Sequence, residues 1–285
     1  MDIRLTPFLL PLLFLVACRA PTRLPGALAE ASGLVVTDAA FVWHNDSGDG
    51  PYLYRTDAGG ELLGVDTLAA GAVDYEDLTQ DPAGRLYVGD FGNNRGTRRR
   101  LAVYRYDPRT GRTDTIAFTY PGQDGRGRGY PGNHDCEALV WYRDSLHLFT
   151  KDQVFGRGRF ITYHYRLPAR PGVYMAELID SLRIPRRVIT GAALTEGGSR
   201  LVLTAYNFRF WGGFWPSSAA SLLTLGEAPA GRWLRGRLRR RNLSWGWPTQ
   251  FEAVAPDPHD HRYVYVASEA TRVRPRAVVR RRKIR

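Results

Sequence analysis

One short pattern, repeated five times, constrains the fold of this chain more than any other feature. The segments Glu30-Ala31-Ser32-Gly33-Leu34, Tyr75-Glu76-Asp77-Leu78, Cys136-Glu137-Ala138-Leu139, Thr190-Gly191-Ala192-Ala193-Leu194 and Phe251-Glu252-Ala253-Val254 share an outline in which a polar start runs into apolar residues. Glutamate marks four of them, and Gly191 takes its place in the other. The markers recur every 46 to 61 residues, a period that suits four-stranded blades with loops of varying length. Short β-type runs such as Arg85–Gly89, Ser145–Thr150 and Tyr263–Ala267 alternate with turn formers such as Asp81-Pro82-Ala83-Gly84 and Asp257-Pro258-His259-Asp260. After the first 17 residues no stretch sustains a helical period. The expected fold is all-β: a β-propeller with five glutamate-marked blade repeats, in a molecule of five or six blades.

The spacing within each repeat is nearly constant. Glu30 leads to His44, Glu76 to Asp90 and Glu137 to Lys151 after 14 residues; Gly191 leads to Tyr206 after 15, and Glu252 to Ser268 after 16. The midpoints all fall in turn-forming sequence, including Pro82-Ala83-Gly84 and Gly197-Gly198-Ser199. Residues equidistant from a hairpin turn sit opposite each other, so each marker is expected to face a polar partner at the open end of its hairpin. If these hairpins are the inner halves of blades, the pairs gather around the axis on one face.

Carboxylates crowded at one mouth repel each other, and a divalent cation, or a cationic partner such as Lys151, relieves that repulsion. Glu76, Asp90, Glu137 and Glu252 are therefore expected to hold a divalent cation through oxygen ligands, calcium being the hard cation that such donors suit. Glu30, Tyr206, Ser268 and His44 line the rest of the mouth. The competing reading makes the glutamates packing devices that fix blade to blade. Lys151 is singular: only it and Lys283 are lysines among 40 basic residues. An ammonium and a guanidinium are not interchangeable in a tight site.

The N-terminus carries an address. Phe8–Ala17 is apolar but too short to span a bilayer as a helix, and reads as a signal-peptide core. Leu15-Val16-Ala17-Cys18 resembles a bacterial lipobox, which makes Cys18 the expected site of lipidation and the cell envelope the expected location. Only Cys136 then remains as a thiol, so no intrachain disulfide is expected. The expected division is a signal peptide over 1–17, a lipidated segment over 18–26, a propeller over 27–270 and a basic tail over 271–285. The net charge of +12 comes mostly from that tail, which has eight basic residues and no acid. A second cluster, Arg232 to Arg241, has six arginines. In an exported monomer such stretches face anionic lipid or glycan phosphates rather than nucleic acid.

Three further motifs are set aside. His259-Asp260-His261 falls on a hairpin tip and reads as a turn. Gly125-Arg126-Gly127-Arg128-Gly129 lies in a polar loop, not between a strand and a helix. The aromatics from Phe208 to Trp215, with Trp245 and Trp247, stack on a sugar or peptide or pack blade against blade.

The run of motifs resembles a secreted bacterial propeller family related to the SdiA-regulated and esterase-like phytase propellers. The resemblance rests on Trp43-His44-Asn45-Asp46-Ser47-Gly48-Asp49, Asp74-Tyr75-Glu76-Asp77-Leu78 and Gly89-Asp90-Phe91-Gly92-Asn93-Asn94 with Val103-Tyr104-Arg105. It continues in Asp135-Cys136-Glu137-Ala138-Leu139 with Thr150-Lys151-Asp152, and in Thr249-Gln250-Phe251-Glu252-Ala253 with Ser268-Glu269. It covers roughly residues 27 to 270 and implies the propeller, with Asn45 and Glu269 joining the ligand-binding set. The aspartate-rich motifs of true β-propeller phytases are not evident, and no Gly-x-Ser-x-Gly elbow is present. Two functions are expected from the same mouth. One is a binding propeller for a small molecule, glycan or peptide. The other is a metal-assisted ester or phosphoester hydrolase in which Asp46 or Glu137 acts on water while Lys151 and His44 stabilise developing charge.

Overall fold

The computed structural model describes residues 20–151, 160–211, 215–229, 231–244, 250–272 and 274–284. They form five antiparallel blades. The first comprises β2 (Ala31–Val36), β3 (Phe41–Asn45), β4 (Tyr52–Thr56) and β5 (Leu62–Thr67), with β1 (Thr22–Arg23) preceding it in the chain. The second comprises β6 (Tyr75–Gln80), β7 (Leu86–Asp90), β8 (Leu101–Asp107) and β9 (Arg112–Thr119). The third comprises β10 (Asp135–Tyr142), β11 (Ser145–Lys151), β12 (Ile161–Pro168) and β14 (Glu177–Arg183). Between the last two, β13 (Gly172–Met175) crosses to the second blade and pairs in parallel with β9. The fourth comprises β15 (Val188–Thr195), β16 (Arg200–Trp211), β17 (Trp215–Gly226) and β18 (Arg237–Asn242). The fifth comprises β19 (Phe251–Pro256), β20 (Tyr263–Ser268) and β21 (Val278–Lys283), with β1 as its outer strand.

Each innermost strand packs on the next, β2 on β6, β6 on β10, β10 on β15, β15 on β19, and β19 back on β2, which closes the ring. Strands near the axis are enclosed on both faces, and β3 and β7 are buried at every position. The outer β5 has no buried residue. The apolar core is divided by the same geometry into five clusters, one in each gap between neighbouring blades. Val88 and Tyr75 meet Leu53 between the first and second blades, Leu139 and Leu148 meet Phe118 between the second and third, and Leu203 and Trp233 meet Phe149 between the third and fourth. Val264 and Val266 meet Val202 between the fourth and fifth, and Trp43 and Leu28 meet Ala253 between the fifth and first.

The inner hairpins turn where the sequence places its turn formers. Between β10 and β11, Arg143 and Asp144 both have positive φ, at 46° and 58°, as a two-residue hairpin loop demands. Between β6 and β7, the Asp81 carboxylate accepts from the amides of Ala83 and Arg85. His259-Asp260-His261 lies in the turn between β19 and β20.

The propeller extends past the expected 27–270 at both ends. Thr22 pairs with Val279 and Arg23 with Val278, and the Leu24 amide donates to the Ala277 carbonyl at 2.9 Å. A ring of blades has to join its first and last strands, so part of the stretch assigned to a lipidated segment, and part of that assigned to a tail, become strands of the fifth blade. Residues 1–17 and Cys18 lie outside the described residues. No helix among the described residues is long and apolar enough to cross a membrane.

Candidate functional site: an axial carboxylate mouth

Every inner strand carries a register shift near the same end. The pairing jumps between Ala31 and Gly33, Tyr75 and Asp77, Cys136 and Ala138, Ile189 and Gly191, and Phe251 and Ala253. The extra residues are Ser32, Glu76, Glu137, Thr190 and Glu252. A β-bulge re-aims the side chain it carries, and here five bulges encircle one axis. The cross-strand partners consequently differ from those expected by one to three residues: Asp90 lies opposite Tyr75, Lys151 opposite Asp135, Tyr206 opposite Val188, Ser268 opposite Phe251 and His44 opposite Gly33.

The bulges also reassign two markers. Glu30 precedes β2, is exposed, and takes part through its carbonyl, which accepts from the Asp46 amide at 2.9 Å. Ser32 holds the bulge position in its place, and its hydroxyl donates to the Glu76 carbonyl at 2.6 Å. In the fourth blade Thr190, not Gly191, holds the position, and its hydroxyl donates to the Phe251 carbonyl at 2.7 Å. Gly191 lies one residue deeper, where an added Cβ would come within 2.1 Å of the Glu252 carbonyl oxygen.

Glu76, Glu137 and Glu252 converge. Their carboxylates belong to three trios whose ligand atoms lie within 4.8 Å of one another: Glu252, Glu269 and Asp46; Asp46, Asp74 and Glu76; Glu76, Asp135 and Glu137. Asp46 and Glu76 each serve two trios, so seven carboxylates form a connected arc. Lys151 and Tyr206 stand where the arc meets the fourth blade. The Lys151 ammonium donates to Glu137 Oε1 at 2.5 Å and sits 5.8 Å from the centroid of the Tyr206 ring. Gly92 gives the arc room, since a Cβ there would stand 2.1 Å from Glu76 Oε1.

Burial sets the electrostatics. Glu76, Glu137 and Glu252 are 3 to 4% exposed. Burial raises the pKa of all three well above the carboxylate range, and neighbouring acids add to it: Glu137 beside Glu76, Asp135 and Glu252 beside Glu137, and Glu269 beside Glu252. Burial lifts Asp135 as well, while Lys151 and the Asn93 amide pull it down. Asp74 is raised to about 6, by burial and then by Asp46 and Asp135. Glu269 is raised to about 7, chiefly by burial. Burial works against the Lys151 ammonium, but Glu137, Tyr206, Asp135 and Glu76 outweigh it and hold its pKa well above the usual lysine value.

Four expected residues are placed differently. Asp90 lies outside the trios: its Oδ1 accepts from Arg98 at 2.8 Å and from the Asp74 amide at 3.0 Å, so it braces the loop that carries Asp74. His44 is fully buried against Tyr75, with Nδ1 2.8 Å from the Asn45 carbonyl oxygen, and burial lowers its pKa. It packs between the first two blades. Asn45 donates to the Ala27 carbonyl and to Asp49, pinning the loop that presents Asp46. Ser268 is buried in the sheet between Phe251 and Val278. Asp74 and Asp135 were not among the expected ligands, although the Asp-x-Glu spacing in Asp74-Tyr75-Glu76 and Asp135-Cys136-Glu137 announces them. The side chains of residues 208–215, with Trp245 and Trp247, lie outside the described residues.

The donor set is all oxygen, as hard divalent cations require. Asp135 is 9% exposed, and while its Oδ1 accepts from the Asn93 amide at 2.7 Å, its Oδ2 is buried with no hydrogen-bond donor among the described residues. A buried acceptor in that state needs a proton or a cation. The acidic groups of the mouth can thus hold a metal ion.

Neither a protein-family model nor a curated protein matches the sequence. Solved structures match in fold. An α-L-arabinanase from Penicillium chrysogenum, complexed with arabinobiose, is 12% identical over 92% of this chain and 96% of its own, with a TM-score of 0.51. A glycosyl hydrolase from Bacteroides ovatus is 11% identical over 90% and 86%, with a TM-score of 0.51. A glucose dehydrogenase is 12% identical over 93% and 99%, with a TM-score of 0.50. At such identities the likeness is one of fold, and it agrees with the blades: this chain is an all-β, five-bladed propeller.

Proposed function

We propose that the chain is an envelope lipoprotein, anchored through Cys18, whose axial mouth binds a ligand through a divalent cation, with calcium the cation that suits its donors. The reading is carried by one observation: three carboxylate trios are linked through Asp46 and Glu76 into a single arc, buried except at the half-buried Asp46 and Asp74. Oxygen donors in flexible number are what calcium takes, and a cation among them stabilises the ionised forms that burial disfavours. The resemblance to SdiA-regulated and esterase-like phytase propellers supports the same reading, because the motifs quoted for it contain Asp46, Asp74, Glu76, Asp135, Glu137, Lys151, Glu252 and Glu269. The binding partner is a small molecule, glycan or peptide with an anionic or hydroxyl group to complete the coordination.

Calorimetric titration of calcium into the metal-free protein tests it. The wild type binds stoichiometrically, and Glu76→Gln, which touches two trios, loses at least about tenfold in affinity, equivalent to roughly 1.4 kcal/mol. Absence of binding, or equal affinity in the variant, contradicts the site. A metal-assisted hydrolase is the second reading, favoured by the buried Lys151 ammonium beside the arc, a fixed positive charge where a substrate would develop negative charge. Calcium-dependent turnover of a chromogenic phosphoester, lost in Glu76→Gln, selects it over simple binding.

A further inference from the structure

The outer strands of the fourth and fifth blades face each other with arginines. Side chains of directly paired residues share a face of the sheet. Arg241 pairs with Leu222, Arg239 with Thr224 and Arg237 with Gly226, and Leu222 belongs to the core between these two blades. On the other side Arg280 pairs with Val266 and Arg282 with Val264, both in that same core. Five guanidiniums therefore rim one inter-blade gap, and Arg241 ties its walls together by donating to the Lys283 carbonyl at 2.6 Å.

Little negative charge faces them. Glu227 lies 3.4 Å from Arg239, both exposed. Asp257 and Asp260 engage Arg281, which lies over the Tyr263 ring. Arg237, Arg280 and Arg282 have no carboxylate partner among the described residues, and Arg280 Nε is buried with no acceptor. Burial, then the repulsion of Arg282 and Arg274, lowers the Arg280 pKa.

The site of the expected anchor adds the second argument. Strand β1 pairs with β21, and Cys18 precedes Thr22 by four residues, a reach of at most about 14 Å. A lipid on Cys18 therefore holds the fifth blade, and with it the arginine rim, close to a bilayer.

We propose that this rim, Arg237, Arg239, Arg241, Arg280 and Arg282, docks on an anionic phospholipid surface. Guanidiniums pair with phosphates in two-pronged geometry, and one acyl chain holds a protein weakly unless a basic patch assists it. The orientation relative to the bilayer rests on the lipid-anchor reading; the binding itself does not, and it is independent of the axial mouth.

The test uses the mature chain carrying Cys18→Ser, which has no lipid, and vesicles of phosphatidylcholine with or without phosphatidylglycerol. Binding is expected only to the anionic vesicles and weakens with salt. It drops roughly fivefold for each arginine removed in the series Arg237→Gln, Arg239→Gln and Arg282→Gln. The triple variant Arg95→Gln/Arg99→Gln/Arg100→Gln, which removes equal charge from exposed positions beyond β7, retains binding. Calcium titration of the same variants, unchanged throughout, separates this surface from the mouth. The proposal is overturned by no binding to anionic vesicles, by equal loss in the two series, or by binding of soluble polyphosphate while vesicles are ignored.

Discussion

At the scale of single residues, the mouth depends on how one ammonium is placed among seven carboxylates. Lys151 is 7% exposed and Glu137 3%, so neither charge is solvated by bulk water, and removing one partner strands the other. Lys151→Met is expected to lower unfolding free energy by about 3 kcal/mol. The double variant Lys151→Met/Glu137→Gln is expected to lose less than Lys151→Met alone, because the stranded acid is gone. Denaturant titration of the three proteins measures it, and strictly additive losses would mean that the pair is not coupled. Lysine usage drew attention to this residue in the sequence, and the structure gives the reason: an ammonium fits between Glu137 and the Tyr206 ring. What the sequence hid was the bulge. Counting outward from the turn assumes an unbroken ladder, so one extra residue per strand shifts the cross-strand register, although the Lys151 ammonium still reaches Glu137.

At the scale of elements, the inner strands are joined by side chains that spacing alone did not flag. Asp77, fully buried one residue after the β6 bulge, accepts from the Leu78 amide through Oδ1 and from the amides of Leu139 and Ala192 through Oδ2. It thus links the second blade to the third and reaches the fourth across the axis. Burial pushes its pKa up, and the three amides pull against that. Asp77→Ala leaves the Leu139 and Ala192 amides buried without an acceptor, and a stability loss of about 2–4 kcal/mol is expected, at 1–3 kcal/mol for each orphaned donor softened by relaxation. Thermal unfolding checks it; a loss below about 0.5 kcal/mol would show that the blades hold without this residue. The repeats were legible because each hairpin is local, with its turn residues and apolar strands in one contiguous stretch. Glu30 stands out as a repeat marker although it lies two residues before the bulge, which Ser32 fills with its hydroxyl, because serine gives no compositional signal.

At the scale of the whole molecule, ring closure explains both what was legible and what was not. Five copies of one pattern sufficed to indicate the propeller and one polar face. They did not reveal that β1 and β21 share a blade, because that pairing joins residues more than 250 positions apart and neither strand carries the repeat. Nor did they reveal Asp74 and Asp135, whose proximity to the bulge glutamates follows from the bend of each strand at the mouth. The closed ring brings carboxylates from the first, second, third and fifth blades within ligand distance, and the central claim is that this arrangement holds a hard cation. Anomalous diffraction from crystals grown with calcium and soaked in terbium tests that claim most directly. The account predicts a peak on the propeller axis about 2.3–2.6 Å from carboxylate oxygens of at least one of the three trios. A map with no peak among Asp46, Asp74, Glu76, Asp135, Glu137, Glu252 and Glu269, at a metal concentration that labels other surface sites, would contradict it.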